Sequence, residues 1–300
     1  MRVSLGLPTH RLDRADEFVT GPAVAELARA AEAAGFDAVF VTDHPAPPVE
    51  WIAGGGHHTL DPLVTLSAAA AATTTLRVHT NLFVPAYRNP LVSAKAVATL
   101  DVLSGGRVIL GVGAGYLEGE FAAVGADFAR RNDVLDDAIR TMRAAWTGEP
   151  VRGPAGDIVS LPRPVQQPGP PVWIGGNSTR AIRRAVELGD GWVPMPSPAK
   201  AAKALRTPGL ESVDDLAARI ATLHRLADEI GRTAPIDIAF MPAGLDMFAR
   251  ATPAPAQVID DLGRLAEVGV TWATVTLPGE TRADLLREIG TFGSAVLPHC

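Results

Sequence analysis

A junction that recurs along the chain constrains its fold more than any other feature. A helical pattern ends at a glycine, and an apolar, β-rich run begins within a few residues, in EAAGFDAVFV, VELGDGWVP and AEVGVTWATV. Glycine can take the left-handed conformation that ends a helix. A short, continuously apolar run is typical of a strand whose two faces are both covered. The junctions therefore predict helices that lead directly into buried parallel strands.

The same alternation extends from end to end. We predict eight strands, each followed by helical sequence, at residues 2–7, 38–42, 76–84, 107–112, 172–174, 191–193, 236–241 and 272–277. Eight such units in 300 residues fit an α/β fold, the closed (β/α)8 TIM barrel, and we treat residues 1–300 as one domain. A doubly wound open sheet is the alternative, but GLPTHRLD, at the end of the first strand, is a poor dinucleotide-binding turn.

Two segments depart from this regular pattern. Residues 148–171 are rich in Gly and Pro, which predicts an irregular excursion between strands 4 and 5. Residues from about 198 to 230 have a mostly helical pattern.

Composition and charge exclude several classes of function. The net charge is −6 and no stretch is rich in Lys or Arg, so we expect no nucleic-acid partner. The sequence has no run of about 18 apolar residues, so we predict no membrane span. The N-terminal sequence lacks a signal-peptide pattern, and the one cysteine, Cys300, can form no internal disulfide. We expect a cytoplasmic protein.

In a barrel of this kind, active sites lie at the C-terminal ends of the strands. His44, just after the second strand, is the best candidate for proton handling. An imidazole titrates near neutral pH, and His44 adjoins the carboxylate of Asp43. The alternative, in which Asp43 and His44 only pair and cap a loop, stays open.

The other histidines give weaker signals. His57 and His58 lie in a glycine-rich stretch and have the residue type of metal ligands, but no third ligand has convincing spacing, so we predict no metal site. His79 lies inside an apolar strand, which indicates a packing role.

Strands 3 and 4 end in unusual sequences. Thr80 and Asn81 interrupt an apolar strand, as in a bulge that presents backbone to a ligand or in an ordinary strand with a polar face. Strand 4 runs into GVGAGY, which contains Gly113 and Gly115. Close packing explains these glycines as well as a ligand does.

The stretch PPVWIGGNSTRAIRRAVELGDGWVP, residues 170–194, gives the strongest single signal. Gly175 and Gly176 end a strand, and Asn177 and Ser178 precede a helix. The first N–H groups of a helix lack partners and attract anions, so this arrangement predicts a phosphate site. The arginines that follow would strengthen the site or form a solvated helix face; they are Arg180, Arg183 and Arg184.

These segments together resemble the luciferase-like monooxygenase superfamily, and within it the branch of oxidoreductases that depend on coenzyme F420, a deazaflavin. The matching runs are FDAVFVTDH, LRVHTNLFVPAYRNPLVSAKAVATLDVLSGGRVILGVGAGYLEGEF, RNDVLDDAIRTMRAAWTGEPV and PPVWIGGNSTRAIRRAVELGDGWVP. They cover most of residues 36–194 in the family's order. The family fold is a (β/α)8 barrel with the cofactor ring at its C-terminal mouth.

The resemblance implies a catalytic role for Asp43 and His44 beside the ring. His44 would exchange the proton that accompanies hydride transfer to or from a small organic substrate. A non-proline cis peptide is implied at Asn81–Leu82, in a bulge that backs the ring, and residues 175–178 match the family's cofactor-phosphate loop. The full set of residues expected at the cofactor is Thr80, Asn81, Leu82, Val84, Gly113, Gly115, Gly175, Gly176, Asn177 and Ser178.

The chain departs from the branch at Tyr116. Some F420 enzymes carry a catalytic glutamate there, and in this chain Glu118 and Glu120 come only later. A phenol, with a reference pKa of about 10, cannot act as the same base, so we do not expect the sugar-phosphate chemistry of one subgroup. We expect Tyr116 to pack on the ring or to donate a hydrogen bond to substrate.

Two alternatives remain within the fold: an FMN-dependent, two-component monooxygenase and a non-catalytic flavin-binding protein. Because family members are commonly dimers, we also expect a homodimer, with the helices after strands 2 and 3 as its interface.

Overall fold

A computed structural model describes residues 1–153, 156–198, 202 and 206–300 of the protein. Its strands are β1 (Arg2–Gly6), β2 (Ala38–Val41), β3 (Arg77–Phe83), β4 (Val108–Val112), β5 (Val151–Gly153), β6 (Gly156–Ile158), β7 (Val172–Gly175), β8 (Gly191–Val193), β9 (Asp237–Phe240) and β10 (Trp272–Val275). Its α-helices include α1 (Ala15–Phe18), α2 (Gly21–Ala34), α3 (Val49–Ala53), α4 (Pro62–Ala72), α5 (Pro90–Ser104), α6 (Glu118–Ala123), α7 (Arg131–Trp146), α8 (Thr179–Leu188), α9 (Val213–Glu229), α10 (Pro255–Glu267) and α11 (Arg282–Ala295).

Eight of the strands close into a barrel. Their order around it is β1-β10-β9-β8-β7-β4-β3-β2, and β1 pairs in parallel with both β2 and β10. Helices connect the strands, so the predicted TIM barrel is confirmed and the open sheet is excluded.

The recurring glycine junctions form in two different ways. Gly35 after α2 and Gly269 after α10 have positive φ angles of 93° and 100°, as expected where a helix ends. Gly189 after α8 is extended instead. A Cβ at Gly189 would lie 2.7 Å from Cγ1 of Ile174, so close packing against β7 requires the glycine there.

The first irregular segment contains structure that the sequence did not predict, and the described part of the second is mostly helical. The excursion between the fourth and fifth barrel strands contains an antiparallel hairpin of β5 and β6, which the sequence did not indicate. In the region from 198 to 230, the helix α9 begins only at Val213, and Ser197 and Leu210 form an antiparallel bridge ahead of it. Residues 199–201 and 203–205 of the predicted helical stretch lie outside the described residues.

Large side chains fill the inside of the barrel. Trp173, Trp272 and Ile109 belong to a buried cluster that also contains small residues of β2 and β9. His79 is wholly buried beside them, with its ring edge-on to Trp173 at 4.8 Å. Burial lowers the pKa of His79 to about 3, so the ring is neutral, and the predicted packing role is confirmed. A filled interior leaves the barrel mouth as the place for a ligand.

Strand β3 bulges against β4. Their pairing is regular up to Thr80 and resumes with a shifted register at Phe83. The Thr80 hydroxyl donates to the Gly111 carbonyl at 2.8 Å, and a Cβ at Gly111 would lie 2.2 Å from the Thr80 carbonyl oxygen. Close backbone approach therefore explains the first glycine of GVGAGY.

Because of this contact, we expect Gly111→Ala to lower the free energy of unfolding by about 1–3 kcal/mol. Gly263→Ala is the matched control, since Gly263 lies within α10 and its added Cβ would meet no atom within 4 Å. There we expect a gain of about 0.5–1 kcal/mol. Denaturant unfolding followed by circular dichroism measures both. Equal stability of Gly111→Ala and the wild type would contradict the close approach.

Candidate active site

Asp43 follows β2 and holds the loop after β3. Its carboxylate accepts the backbone amide of Val84 at 2.9 Å and two guanidinium nitrogens of Arg88 at 2.7 and 2.9 Å. The carboxylate is almost wholly buried, so this bidentate ion pair is shielded from solvent. Among the described residues, Asp43 has no hydrogen bond to His44. The pairing of these two neighbours, which the sequence left open, does not form.

His44 pairs with Glu120 instead. Its Nδ1 lies 3.1 Å from Oε2 of Glu120, the third residue of α6, which is the helix that follows β4. The same oxygen accepts the Tyr87 hydroxyl at 2.7 Å, and Oε1 accepts the backbone amide of Ala46 at 3.0 Å. The Glu120 side chain is 0% exposed and that of His44 is 10% exposed. A buried carboxylate therefore holds the imidazole from behind while part of the ring reaches the surface.

The charge on Glu120 is stabilised by these donors. Burial by itself favours the neutral acid, but the hydrogen bonds from His44, Tyr87 and the Ala46 amide outweigh it and hold the pKa of Glu120 below its usual value. Glu120 is therefore a carboxylate at neutral pH, and its partners must be donors.

Aromatic rings surround the imidazole of His44. Trp51 lies 4.8 Å away and His57 4.9 Å away between ring centroids, and Tyr116 lies 6.0 Å away, edge to face. Trp51 also contacts His57 and Tyr116, at 5.5 and 6.4 Å. These four rings form a cluster, here called the aromatic cluster, at the ends of β2 and β4.

Two members of the aromatic cluster are uncharged at neutral pH. Burial lowers the pKa of His57 to about 4. Burial, with the nearby charge of Glu120, raises the pKa of Tyr116 to about 12, so Tyr116 can donate a hydrogen bond but cannot act as a base. Across the part of the chain that is described, no group of three or more His, Cys, Asp or Glu side chains is arranged so that it could hold a metal ion.

The end of β3 carries the implied bulge. The Asn81–Leu82 peptide is cis, as the resemblance implies. Asn81 and Leu82 are half-buried, whereas Thr80 is wholly buried and bonded to β4. Thr80 is expected at the cofactor from the sequence, but its side chain supports the bulge from behind. Val84 is buried, and its backbone amide donates to the Asp43 carboxylate.

The glycines beside the bulge make room for Leu82. A Cβ at Gly175 would lie 1.9 Å from Cδ1 of Leu82, and one at Gly113 would lie 3.2 Å from it. At Gly115 the φ angle is +76°, and a Cβ there would lie 2.7 Å from the Phe121 ring. Packing therefore accounts for these three glycines, and their contribution to a cofactor site is the shape that they give to Leu82 and to the turn into α6.

Asn177 is wholly buried and uses its polar atoms within the fold. Its side chain donates to the carbonyls of Met195 and Pro208 at 2.8 and 2.9 Å and accepts the Met195 amide at 2.9 Å. Its backbone amide donates to the Thr207 hydroxyl at 3.0 Å. Asn177 thus ties the end of β7 to the segment after β8, and neither its side chain nor its amide is available to a phosphate.

The start of α8 offers its own amides instead. Gly176 has a φ angle of +113°, and the Ser178 hydroxyl caps the helix by accepting the Ala181 amide at 3.2 Å. Within the described residues, the amides of Ser178 and Thr179 have no acceptor, as expected in a first helical turn. These two amides are the groups that this end of the helix presents to an anion.

The arginines of α8 are engaged elsewhere. Arg180 pairs with Asp133 at 2.5 Å and with Asp136 at 3.0 Å, and the buried Arg184 also pairs with Asp136. Arg183 pairs with Glu187, one turn further along the same helix, at 3.8 Å. Two of the three arginines therefore fasten α8 to α7, so they do not strengthen the predicted phosphate site.

Sequence reasoning missed the residues that orient His44. Glu120 lies 76 positions from its partner His44, and Arg88 lies 45 positions from its partner Asp43. Tyr87 lies 33 positions from Glu120. Only the closed barrel brings these residues together. One signal was present, because Glu120 and Tyr87 follow the C-terminal ends of β4 and β3, where side chains of neighbouring strands converge.

Comparison with known proteins identifies the family. Residues 1–259 match the model of the luciferase-like monooxygenase family. An uncharacterized protein of Mycobacterium tuberculosis is 31% identical over 262 residues, which are 82% of this chain and 81% of that protein. The F420-dependent glucose-6-phosphate dehydrogenase of Amycolatopsis mediterranei is 36% identical over 177 residues, which are 56% of this chain and 51% of the dehydrogenase. The crystal structure of the monooxygenase RslO1 from Streptomyces bottropensis has the same fold, with a TM-score of 0.79 at 18% identity, over 100% of this chain and 99% of that one.

The chain therefore belongs to the luciferase-like monooxygenase family and is an oxidoreductase of that family. The resemblance inferred from the sequence is confirmed. In the part of the chain that the structure describes, no helix is both long and apolar enough to cross a membrane.

The buried ion pair of Asp43 gives a test of the site's framework. We expect Asp43→Asn to lower the free energy of unfolding by about 3 kcal/mol, because the half-buried Arg88 guanidinium loses its buried charged partner and keeps only the longer contact with Asp61. Asp61→Asn is the matched control. Asp61 also contacts Arg88, at 3.3 Å, but it is half-exposed and Asn caps α4 equally well. Its loss should cost less than about 1 kcal/mol. Comparable losses in the two variants would contradict the assigned role of Asp43.

Proposed function

We propose that the protein is a coenzyme F420-dependent oxidoreductase that transfers a hydride between the deazaflavin and a small organic substrate, with His44 handling the proton. The observation that carries this proposal is the placement of His44 at the C-terminal end of β2, with Nδ1 held by a wholly buried carboxylate. Its other nitrogen, Nε2, has no hydrogen-bond partner among the described residues, so it is available to a ligand at the barrel mouth.

The strand ends beside His44 fit a flavin-type cofactor. β2, β3, β4 and β7 are successive neighbours in the barrel, so their C-terminal ends form one continuous arc. Leu82 gives an apolar surface on this arc, and the amides of Ser178 and Thr179 give an anion site at its far end. We expect these residues to hold the ring and the phosphate. When bound, the deazaflavin supplies the hydride chemistry itself.

The chain's own contribution to the reaction is the proton. A carbonyl oxygen needs a proton when its carbon is reduced, and an alcohol oxygen releases one when its carbon is oxidised. His44 supplies or accepts this proton at Nε2. The rest of the aromatic cluster is uncharged and surrounds the imidazole with apolar surface, which favours a modest organic substrate over a strongly charged one.

The relative from Amycolatopsis mediterranei supports F420 as the cofactor. It does not extend to glucose 6-phosphate as the substrate of this chain. Tyr116, with its raised pKa, replaces the carboxylate that the subgroup would need at this position.

An FMN-dependent monooxygenase is the second candidate. The match to the luciferase-like monooxygenase family supports a monooxygenase reaction. A flavin carries nitrogen where the deazaflavin carries carbon, and only the reduced flavin readily activates oxygen. Oxygen consumption with reduced FMN would therefore identify this alternative.

A homodimer and a cytoplasmic location remain our expectations. Val64 on α4 and Val92 on α5 are 72% and 64% exposed, and both helices follow the strands named for an interface. Apolar side chains on neighbouring outer helices support an interface between two copies there.

The role of His44 predicts a large and specific loss of activity. Reduced F420 is mixed anaerobically with a panel of ketones, aldehydes and enones, and the absorbance of oxidised F420 reports turnover. We expect His44→Asn to bind F420 but to lose about 100- to 10,000-fold in kcat. His58→Asn is the control, because His58 is exposed and lies in the same loop region. Unchanged turnover in His44→Asn would remove His44 from the mechanism.

A further inference from the structure

The carboxylate of Glu120 has more donors around it than a simple contact with His44 needs. Three groups converge on its two oxygens: the His44 ring, the Tyr87 hydroxyl and the Ala46 amide. They come from the loops after β2 and β3, whereas Glu120 itself comes from α6 after β4. The carboxylate is wholly buried, so water does not compete for these bonds.

Two of the donors fix the direction in which the carboxylate faces. The Ala46 amide always donates. Burial and the charge of Glu120 keep the pKa of Tyr87 well above its usual value, so Tyr87 remains a phenol and donates. With one donor on each oxygen, the carboxylate cannot rotate away from the imidazole without losing a buried hydrogen bond.

Tyr87 is itself held in place by Asp43. It lies in the short 3-10 helix Pro85–Tyr87, whose flanking residues Val84 and Arg88 both bond to Asp43. Asp43 and His44 are adjacent in sequence but have different partners. Asp43 bonds to Arg88 of this loop, and His44 contacts Glu120, which accepts the hydroxyl of Tyr87 from the same loop. Partly or wholly buried polar contacts therefore lead from Asp43 through the loop and Tyr87 to Glu120 and His44.

The chemistry of the pair decides the protonation of the imidazole. A carboxylate only accepts hydrogen bonds, so the His44 nitrogen that faces it must carry hydrogen. We propose that Glu120 is a positioning residue that holds neutral His44 as its Nδ1–H tautomer and so leaves Nε2 as the atom that exchanges a proton with substrate. The tautomer assignment stands independently of any cofactor, and the role of Nε2 in turnover rests on the proposed function.

The two ring nitrogens can be observed directly in the protein without cofactor. The full-length chain is labelled with 15N-histidine, and a nitrogen–proton correlation spectrum is recorded at a pH where the imidazoles are neutral. Loss of signals in His44→Asn assigns the His44 resonances. We expect Nδ1 of His44 to show the protonated shift and Nε2 the unprotonated shift. A protonated Nε2 in the wild type would overturn the proposal without any further variant.

Two variants separate positioning from mere support of the fold. In Glu120→Gln the side chain keeps its size but loses its charge, and we expect His44 to lose its preference for Nδ1–H. In Tyr87→Phe the carboxylate remains, so we expect Nδ1–H to persist. Retention of the Nδ1–H tautomer in Glu120→Gln would contradict the proposal, since contact with an uncharged side chain would then be enough to fix the tautomer of His44.

Turnover gives the second readout. We expect Glu120→Gln to lower kcat about 10- to 100-fold with little change in KM, the size of effect typical of a residue that orients a functional histidine. A wild type that shows the Nδ1–H tautomer but never oxidises or reduces F420 would refute the proposed function and leave the tautomer assignment intact. An altered tautomer in Glu120→Gln with unchanged kcat would refute the role of Nε2.

Discussion

The candidate site depends on the close approach of β3 and β4. The two strands come together so closely at Gly111 that no side chain fits between the backbones, and β3 bulges just beyond this point. The bulge turns Leu82 toward the barrel mouth and carries the chain into the loop formed by residues 84–88. The contacts of Asp43 with Val84 and Arg88 and the contact of Glu120 with Tyr87 are made by that loop.

Two buried carboxylates then connect this loop to the imidazole of His44 and fix its position. Asp43 fastens the loop through a bidentate ion pair with Arg88, and Glu120 receives Tyr87 from the same loop. Removing one partner from a buried pair is costly, so the two carboxylates restrain the loop and the His44 ring together. The aromatic cluster completes the arrangement by covering the ring while leaving part of it exposed.

The fold could be predicted from sequence because its signals are local. Glycine stops such as Gly35 and continuous apolar strands such as β2 mark each unit, and eight units leave little choice of architecture. The location of the site followed from the same reasoning, since residues at strand ends meet at the mouth. The β5–β6 hairpin was missed because its two short strands have no periodic pattern of their own.

The hydrogen-bond and ion-pair partners within the site could not be predicted in the same way. Which partner an acid takes depends on contacts between strands, so the sequence left open whether Asp43 pairs with its neighbour His44, and the structure pairs Asp43 with Arg88. Asn177 has the residue type of a phosphate ligand, but its burial commits it to Met195 and Pro208. Gly113 and Gly175 are expected at the cofactor, and the structure shows in addition that both leave space for Leu82. Only the three-dimensional packing distinguishes these uses.

The most direct test of the account is a side-by-side titration of the purified protein with F420 and with FMN, each oxidised and reduced, followed by fluorescence and absorbance. The account predicts that F420 binds at least about tenfold more tightly than FMN, a difference of about 1.4 kcal/mol in binding free energy. Preferential binding of reduced FMN would contradict hydride transfer through F420 and favour oxygen chemistry. Binding of neither cofactor would contradict the assignment of the mouth formed by β2, β3, β4 and β7 as a flavin-type site.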